Sequence, residues 1–131
     1  MPTVLIVEDE PMSRFAAEQM VQSLGFETIA TATGEAALDS ARRQRIDLLF
    51  TDIQLPGDID GWAVARALKQ MNPAIRVIYT SGRAGPEEHA THGVTGSCLL
   101  PKPYSDEDLA GAIEDVRAMD DMVNGVPPRR P

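Results

Sequence analysis

Val4-Leu5-Ile6-Val7-Glu8-Asp9-Glu10-Pro11 opens on four consecutive apolar residues and turns abruptly to acid. A short apolar run of this kind, rich in β-branched residues, reads as a strand buried on both faces. Burial on both faces requires helices as cover, and the chain after Pro11 supplies one. Over residues 12–24, Ala16 or Ala17, Met20 or Val21, and Leu24 fall at helical spacing, and Gly25 is a stop signal. Phe26-Glu27-Thr28-Ile29-Ala30 alternates and reads as a second, weaker strand. Residues 35–43 form a helix built on Ala36, Ala37, Leu38 and Ala41.

The alternation continues to the end of the chain. Leu48-Leu49-Phe50-Thr51 is a third strand ending at Asp52, and a turn-rich stretch over 55–61 leads into a helix at 62–71. Trp62, Ala65, Leu68 and Met71 form its apolar stripe, and Asn72-Pro73 breaks it. Ile75-Arg76-Val77-Ile78-Tyr79 is a fourth strand running into Thr80-Ser81-Gly82. Residues 83–96 are rich in helix breakers and leave room for a short helix around 86–92. Cys98-Leu99-Leu100 is a fifth strand, followed by Pro101-Lys102-Pro103. Leu109, Ala112, Ile113, Val116 and Met119 mark the last helix, with Ser105 or Asp106 as its cap. Five strands alternating with five helices imply an α/β fold, a parallel sheet covered on both faces with right-handed crossovers. The expected organisation is one domain over 1–120 and a flexible Pro- and Arg-containing tail over 121–131, whose Arg129-Arg130 pair reads as plain tail.

A length of 131 residues suits a single domain. Apolar residues at 43% and charged residues at 24% exclude a disordered chain, collagen and a coiled coil. No apolar run approaches the roughly 20 residues of a membrane-spanning helix. The chain begins Met-Pro-Thr-Val without a basic stretch, so no secretory signal is expected. A single cysteine, Cys98, excludes an internal disulfide and a cysteine-rich zinc site. The expected setting is a reducing cytoplasm, with no membrane partner. A net charge of −8 speaks against direct binding of nucleic acid.

In an open parallel sheet, ligands bind beyond the carboxyl ends of the strands. Glu8, Asp9 and Glu10 follow the first strand, Asp52 the third, Thr80 and Ser81 the fourth, and Lys102 the fifth. Clustered carboxylates raise one another's pKa unless a cation sits among them. Hard oxygen ligands suit magnesium, and a lysine suits a phosphate oxygen. A carboxylate can itself be the nucleophile and form an acyl phosphate. Phosphoryl transfer asks mainly for positioning and charge neutralisation. The set Glu8, Asp9, Asp52, Thr80 and Lys102 meets those needs. Other residues read plainly: His89 and His92 as surface residues without further metal ligands, Cys98 as a small buried side chain, Trp62 as packing at the head of the third helix near the rim of the site.

These stretches resemble the receiver domains of bacterial two-component response regulators. The resemblance rests on Val-Leu-Ile-Val-Glu-Asp-Glu at 4–10, Leu-Leu-Phe-Thr-Asp-Ile-Gln-Leu-Pro at 48–56, Asp-Gly at 60–61, Ile-Tyr-Thr-Ser-Gly at 78–82 and Pro-Lys-Pro-Tyr at 101–104. It covers about residues 3–120. It implies a flavodoxin-like doubly wound sheet of order 2-1-3-4-5. It implies Asp52 as phosphoacceptor and magnesium held by Asp9, its neighbour Glu8, Asp52 and the backbone carbonyl of Gln54. It also implies Thr80 as the hydroxyl that moves to the phosphoryl group, Lys102 as its lysine contact, and a cis bond at Lys102-Pro103.

The sequence departs from that family at Leu99, where an aromatic residue or histidine is usual. The loop after Asp52 is one residue longer than the common pattern, and the fourth helix is short. The implied function is a phosphoacceptor for a sensor histidine kinase or histidine phosphotransfer protein, signalling by protein contacts to a downstream partner. It would not be an enzyme beyond slow self-phosphorylation and self-dephosphorylation. About 11 residues after 120 leave no room for an output domain, so a stand-alone receiver is expected. The alternative is a receiver-like binding module that works without phosphorylation. An unrelated aspartyl-phosphate hydrolase is disfavoured, because Gln54 stands where such enzymes commonly carry a second aspartate.

Overall fold

The computed structural model describes residues 2–123, with side chains to Met119. The strands are β1 (Thr3–Val7), β2 (Glu27–Thr31), β3 (Leu48–Asp52), β4 (Arg76–Ser81) and β5 (Ser97–Pro101). The helices are α1 (Pro11–Ser23), α2 (Gly34–Arg43), α3 (Gly61–Met71), α4 (Pro86–His92) and α5 (Asp106–Val123). All strand pairs are parallel, in the order β2-β1-β3-β4-β5. The expected flavodoxin-like architecture is therefore present. Among the described residues, no helix is long and apolar enough to cross a membrane.

The period-2 alternation of each strand splits the core into two layers. Leu5, Val7, Leu49, Val77 and Tyr79 face Ala37, Ala65 and Leu68 of α2 and α3. Val4, Ile6, Leu48, Phe50 and Ile78 face Ala17 and Val21 of α1 and Leu109, Ile113 and Val116 of α5. Burying each large aliphatic side chain stabilises by about 1.5–3 kcal/mol. Those layers together hold the strand ends, and so the acids they carry, in one place.

Element ends follow local chemistry. Glu10 caps α1 by accepting the Ser13 N–H at 2.6 Å, and Pro11 stands in the first turn, where no N–H partner is required. Ser105 caps α5: its hydroxyl accepts from the Asp108 N–H, and the Asp108 carboxylate accepts from the Ser105 N–H. Gly25 has φ +94°, the left-handed conformation that ends α1 cheaply.

Some expectations are corrected. Leu24 and Met71 do not face the core; they are 44% and 46% exposed because their helices end there. β2 alternates, with Ile29 toward the α2/α3 layer and Ala30 toward the α1/α5 layer, but Glu27 is exposed and the next four residues are only half-buried, as befits an edge strand. The α5 helix reaches Val123, past the expected domain boundary at 120, and the remainder of the expected 121–131 tail, Arg129 and Arg130 included, lies outside the described residues.

Candidate phosphoryl and metal site

The carboxyl edge of the sheet gathers side chains from three strands. Main-chain bonds set them there: the Glu8 N–H donates to the Thr31 carbonyl at 3.0 Å, and the Lys102 N–H to the Ser81 carbonyl at 2.9 Å. Asp52 lies level with Thr80 across the β3–β4 ladder. Carboxylate oxygens of Glu8, Asp9 and Asp52 lie within 4.8 Å of one another. The Lys102 ammonium donates to Glu8 Oε1 at 2.6 Å and to Asp52 Oδ2 at 3.0 Å. Glu8 and Asp52 are buried, whereas Asp9 is exposed at the mouth of the cluster.

Gly61 fixes the Asp52 backbone from the other side. It is the first residue of α3, and its N–H donates to the Ile53 carbonyl at 2.8 Å. A β-carbon at this position would collide with the Asp52 carbonyl. The start of α3 can approach β3 this closely only as glycine.

Three carboxylates around one ammonium leave an excess of negative charge. Burial pushes the Glu8 carboxyl above its ordinary value; the Lys102 hydrogen bond opposes that shift and neighbouring Asp52 adds to it. Burial pulls the Lys102 ammonium down, but its bonds to Glu8 and Asp52 outweigh burial and leave its pKa raised. An all-oxygen donor set with uncompensated charge, open on the Asp9 side, fits a hard divalent cation that keeps waters of its own. Glu10 belongs to no such cluster. Its carboxyl is lowered chiefly by the Ser13 N–H, in its role as helix cap.

The response regulator receiver domain family matches residues 4–114. This chain belongs to that family. The receiver domain is 42% identical over 107 residues to the polar-differentiation response regulator DivK of Brucella anthropi, covering 79% of this chain and 85% of DivK. It resembles the crystal structure of a response regulator receiver protein from Sinorhizobium medicae, with TM-score 0.83, 30% identity, and coverage of 90% and 96%. It also resembles the receiver domain of the sensor histidine kinase PA1611 from Pseudomonas aeruginosa, solved with a magnesium ion in its active-site cleft. There the TM-score is 0.74, with 27% identity and coverage of 86% and 94%. The chain spans only 46% of the transcriptional regulatory protein TcrX of Mycobacterium tuberculosis and 10–12% of the matched sensor kinases.

Within this receiver domain, the side chains of Thr80 and Gln54 make hydrogen bonds outside the acid cluster. The Thr80 hydroxyl is buried and donates to the Leu100 carbonyl at 2.8 Å, tying β4 to β5. The Gln54 side chain is exposed, and its carbonyl accepts from the Ser81 hydroxyl at 2.9 Å. The Lys102-Pro103 peptide is cis. Leu99 is half-buried, packs with the α2/α3 layer and stands level with Tyr79 of β4. Ring bulk at this corner thus comes from β4: Tyr79 is fully buried, its hydroxyl accepting the Val94 N–H at 3.1 Å.

Of the residues read plainly, His89 alone sits otherwise, while Trp62 packs at the head of α3 as expected. Trp62, at the head of α3, is a core residue packed on Tyr79 at 4.6 Å and on His92 at 5.6 Å between ring centroids. His92 is exposed as expected, but His89 is not a plain surface residue. Its Nε2 lies 2.9 Å from Ser97 Oγ, and its ring meets Tyr79 edge-on. Burial lowers its pKa. Cys98 is half-buried against the α1/α5 layer, and burial pushes its thiol up to about 12.

Sequence reading missed Arg14. Its guanidinium donates to the Glu8 carbonyl at 2.9 Å and so braces the turn that presents Glu8 and Asp9. No local pattern marks it, because it works on the backbone from the first turns of α1. It also missed the groove beside the acids, a cavity of about 450 Å³ lined by Ser13, Ala16, Met20, Lys102, Pro103 and Tyr104.

Proposed function

We propose that this receiver domain accepts a phosphoryl group on Asp52 and signals through protein contacts. The bridge from Lys102 to Glu8 and Asp52 carries the reading, because it sets one cation against an acceptor oxygen inside an acid cluster. The Asp52 carboxylate attacks phosphorus of a phosphohistidine, the N–P bond breaks, and its electron pair stays on the imidazole. Asp9, Asp52, the Gln54 backbone carbonyl and, beside them, Glu8 are the residues that would hold magnesium. A magnesium ion held there would supply positive charge to offset that of the phosphoryl oxygens. Lys102 then turns from carboxylate to phosphoryl oxygen. Thr80 exchanges the Leu100 carbonyl for the phosphoryl group, which loosens the β4–β5 tie and biases the surface around α4, β5 and α5.

The donor is a sensor histidine kinase or a histidine phosphotransfer protein. Its histidine must reach Asp52, so its surface must cover the neighbouring face of α1. The helix exposes Met12 and Phe15, 78% and 64% accessible, and its Ser13, Ala16 and Met20 line the groove at Lys102 and Tyr104. Exposed large apolar side chains next to a reactive group suit a docking partner. The role belongs to the cytoplasm, where such kinases draw on ATP, and the output partner is a protein, since the charge of −8 repels nucleic acid.

Intact mass after incubation with a small phosphodonor and magnesium tests the proposal. The expected result is a phosphate-sized gain in wild type and none in Asp52→Ala. No gain in wild type from either a small donor or a kinase would turn the reading toward a phosphorylation-independent binding module.

A further inference from the structure

Ser81 is the last residue of β4, 1% exposed, and its hydroxyl is fully committed. The Arg83 and Ala84 N–H groups both donate to its oxygen, each at 3.0 Å. A hydroxyl has two acceptor positions and one proton. With both acceptor positions filled, only the proton remains, and the partner at 2.9 Å must be an acceptor, Gln54 Oε1. Counting donors therefore fixes which end of the Gln54 amide faces Ser81. The carbonyl end is held and the NH2 end is left.

Gln54 lies two residues after Asp52 in an exposed loop, and Ser81 follows Thr80, which stands level with Asp52. The two side chains thus bridge the β3–α3 and β4–α4 loops beside the phosphoacceptor. Hydrolysis of an aspartyl phosphate requires water to attack phosphorus. The P–O bond to Asp52 breaks, the carboxylate leaves with the electron pair, and the water's proton passes to an acceptor. A glutamine carbonyl is well suited to orient such a water. Here that carbonyl is engaged elsewhere.

Resting on the phosphoacceptor reading, we infer that Ser81 is a positioning residue that holds the Gln54 carbonyl away from the hydrolytic water and so prolongs the life of the phosphoryl group. The leftover NH2 can only donate, which suits a phosphoryl oxygen and not an attacking water's proton.

The test is the decay of phosphorylated protein after removal of the small phosphodonor, with magnesium present, followed by intact mass. Ser81→Ala shortens the half-life by about 2- to 10-fold, the range for losing one neutral hydrogen bond. Ser81→Ala also strips a partner from the Arg83 and Ala84 N–H groups, so loop loosening must be separated from release of Gln54. In a Gln54→Ala background the clamp has nothing to hold, and Ser81→Ala then changes nothing further, whereas loop loosening would persist. Gln54→Asn, an exposed change that keeps the amide but shortens its reach, releases it without touching Ser81 and also shortens the half-life. Equal half-lives in wild type, Ser81→Ala and Gln54→Asn would overturn the clamp alone. Absence of phosphate uptake by wild type would overturn both the clamp and the reading beneath it.

Discussion

The ammonium of Lys102 meets the carboxylate of Glu8 at 2.6 Å across a sequence separation of 94 residues. The same ammonium reaches Asp52, so one lysine compensates two buried acids that stand beside a third, exposed one. The arrangement is stable only in part without a further cation, and that imbalance drives the first two predictions.

Glu8→Gln removes one charge from the cluster. The folded-state pKa of Glu8 is raised, so its ionisation opposes folding: its stabilising protonated form prevails below the ordinary value of 4.5 and is lost as pH rises through the raised folded value. In magnesium-free buffer, wild type should therefore lose stability relative to Glu8→Gln as pH rises from about 4.5. Urea unfolding of both proteins across that range measures it, and a gap that does not move with pH would refute the assignment.

Magnesium should stabilise the fold by binding the native acid cluster. The gain is about 2.7 kcal/mol at a hundredfold excess over Kd. Asp9→Asn, at the exposed mouth, should remove most of that gain with little change in metal-free stability. Thermal melts with and without magnesium report both numbers.

Phe15→Ser should separate protein donors from small ones. Phe15 is 64% exposed, so its loss should change stability by about 0.5 kcal/mol or less. If α1 docks the kinase or phosphotransfer protein, the rate of transfer falls about 10-fold or more, as for an interface anchor. Uptake from a small phosphodonor stays unchanged. Stopped-time assays with the two donors distinguish these outcomes.

Gly61→Ala should destabilise by about 1–3 kcal/mol, the cost of overpacking a tight contact. The added β-carbon collides with the Asp52 carbonyl, so the start of α3 must back away from β3. Urea denaturation gives the loss, and reduced phosphate uptake at Asp52 would accompany it because the acceptor's own backbone is displaced.

Much of this receiver domain was legible in the linear chain. Apolar runs and helical spacing located nine of the ten elements to within a residue or two, including the short α4 at 86–92, and the start of α5 but not its end at Val123. Period-2 and period-3.6 burial are local properties, and the alternation of the two leaves a covered parallel sheet as the simplest fold. Strand ends then named Glu8, Asp9, Asp52 and Lys102 as neighbours, since a parallel sheet brings its carboxyl ends to one edge.

Periodicity does not carry hydrogen-bond partners. That Lys102 binds Glu8 as well as Asp52, that Thr80 is engaged with Leu100, and that Ser81 holds Gln54 depend on ångström-scale placement of loops from distant parts of the chain. His89 and Trp62 show the same limit. An exposed-looking histidine on a short helix and a tryptophan at a helix head became parts of one packed group with Tyr79 only when β4 and α4 were brought together. Sequence alone determined the sheet, its cover and the edge where the acids lie, because these follow from which residues must leave water. Tertiary structure decided which side chain holds which, because a hydrogen bond exists only within a few tenths of an ångström of its ideal length.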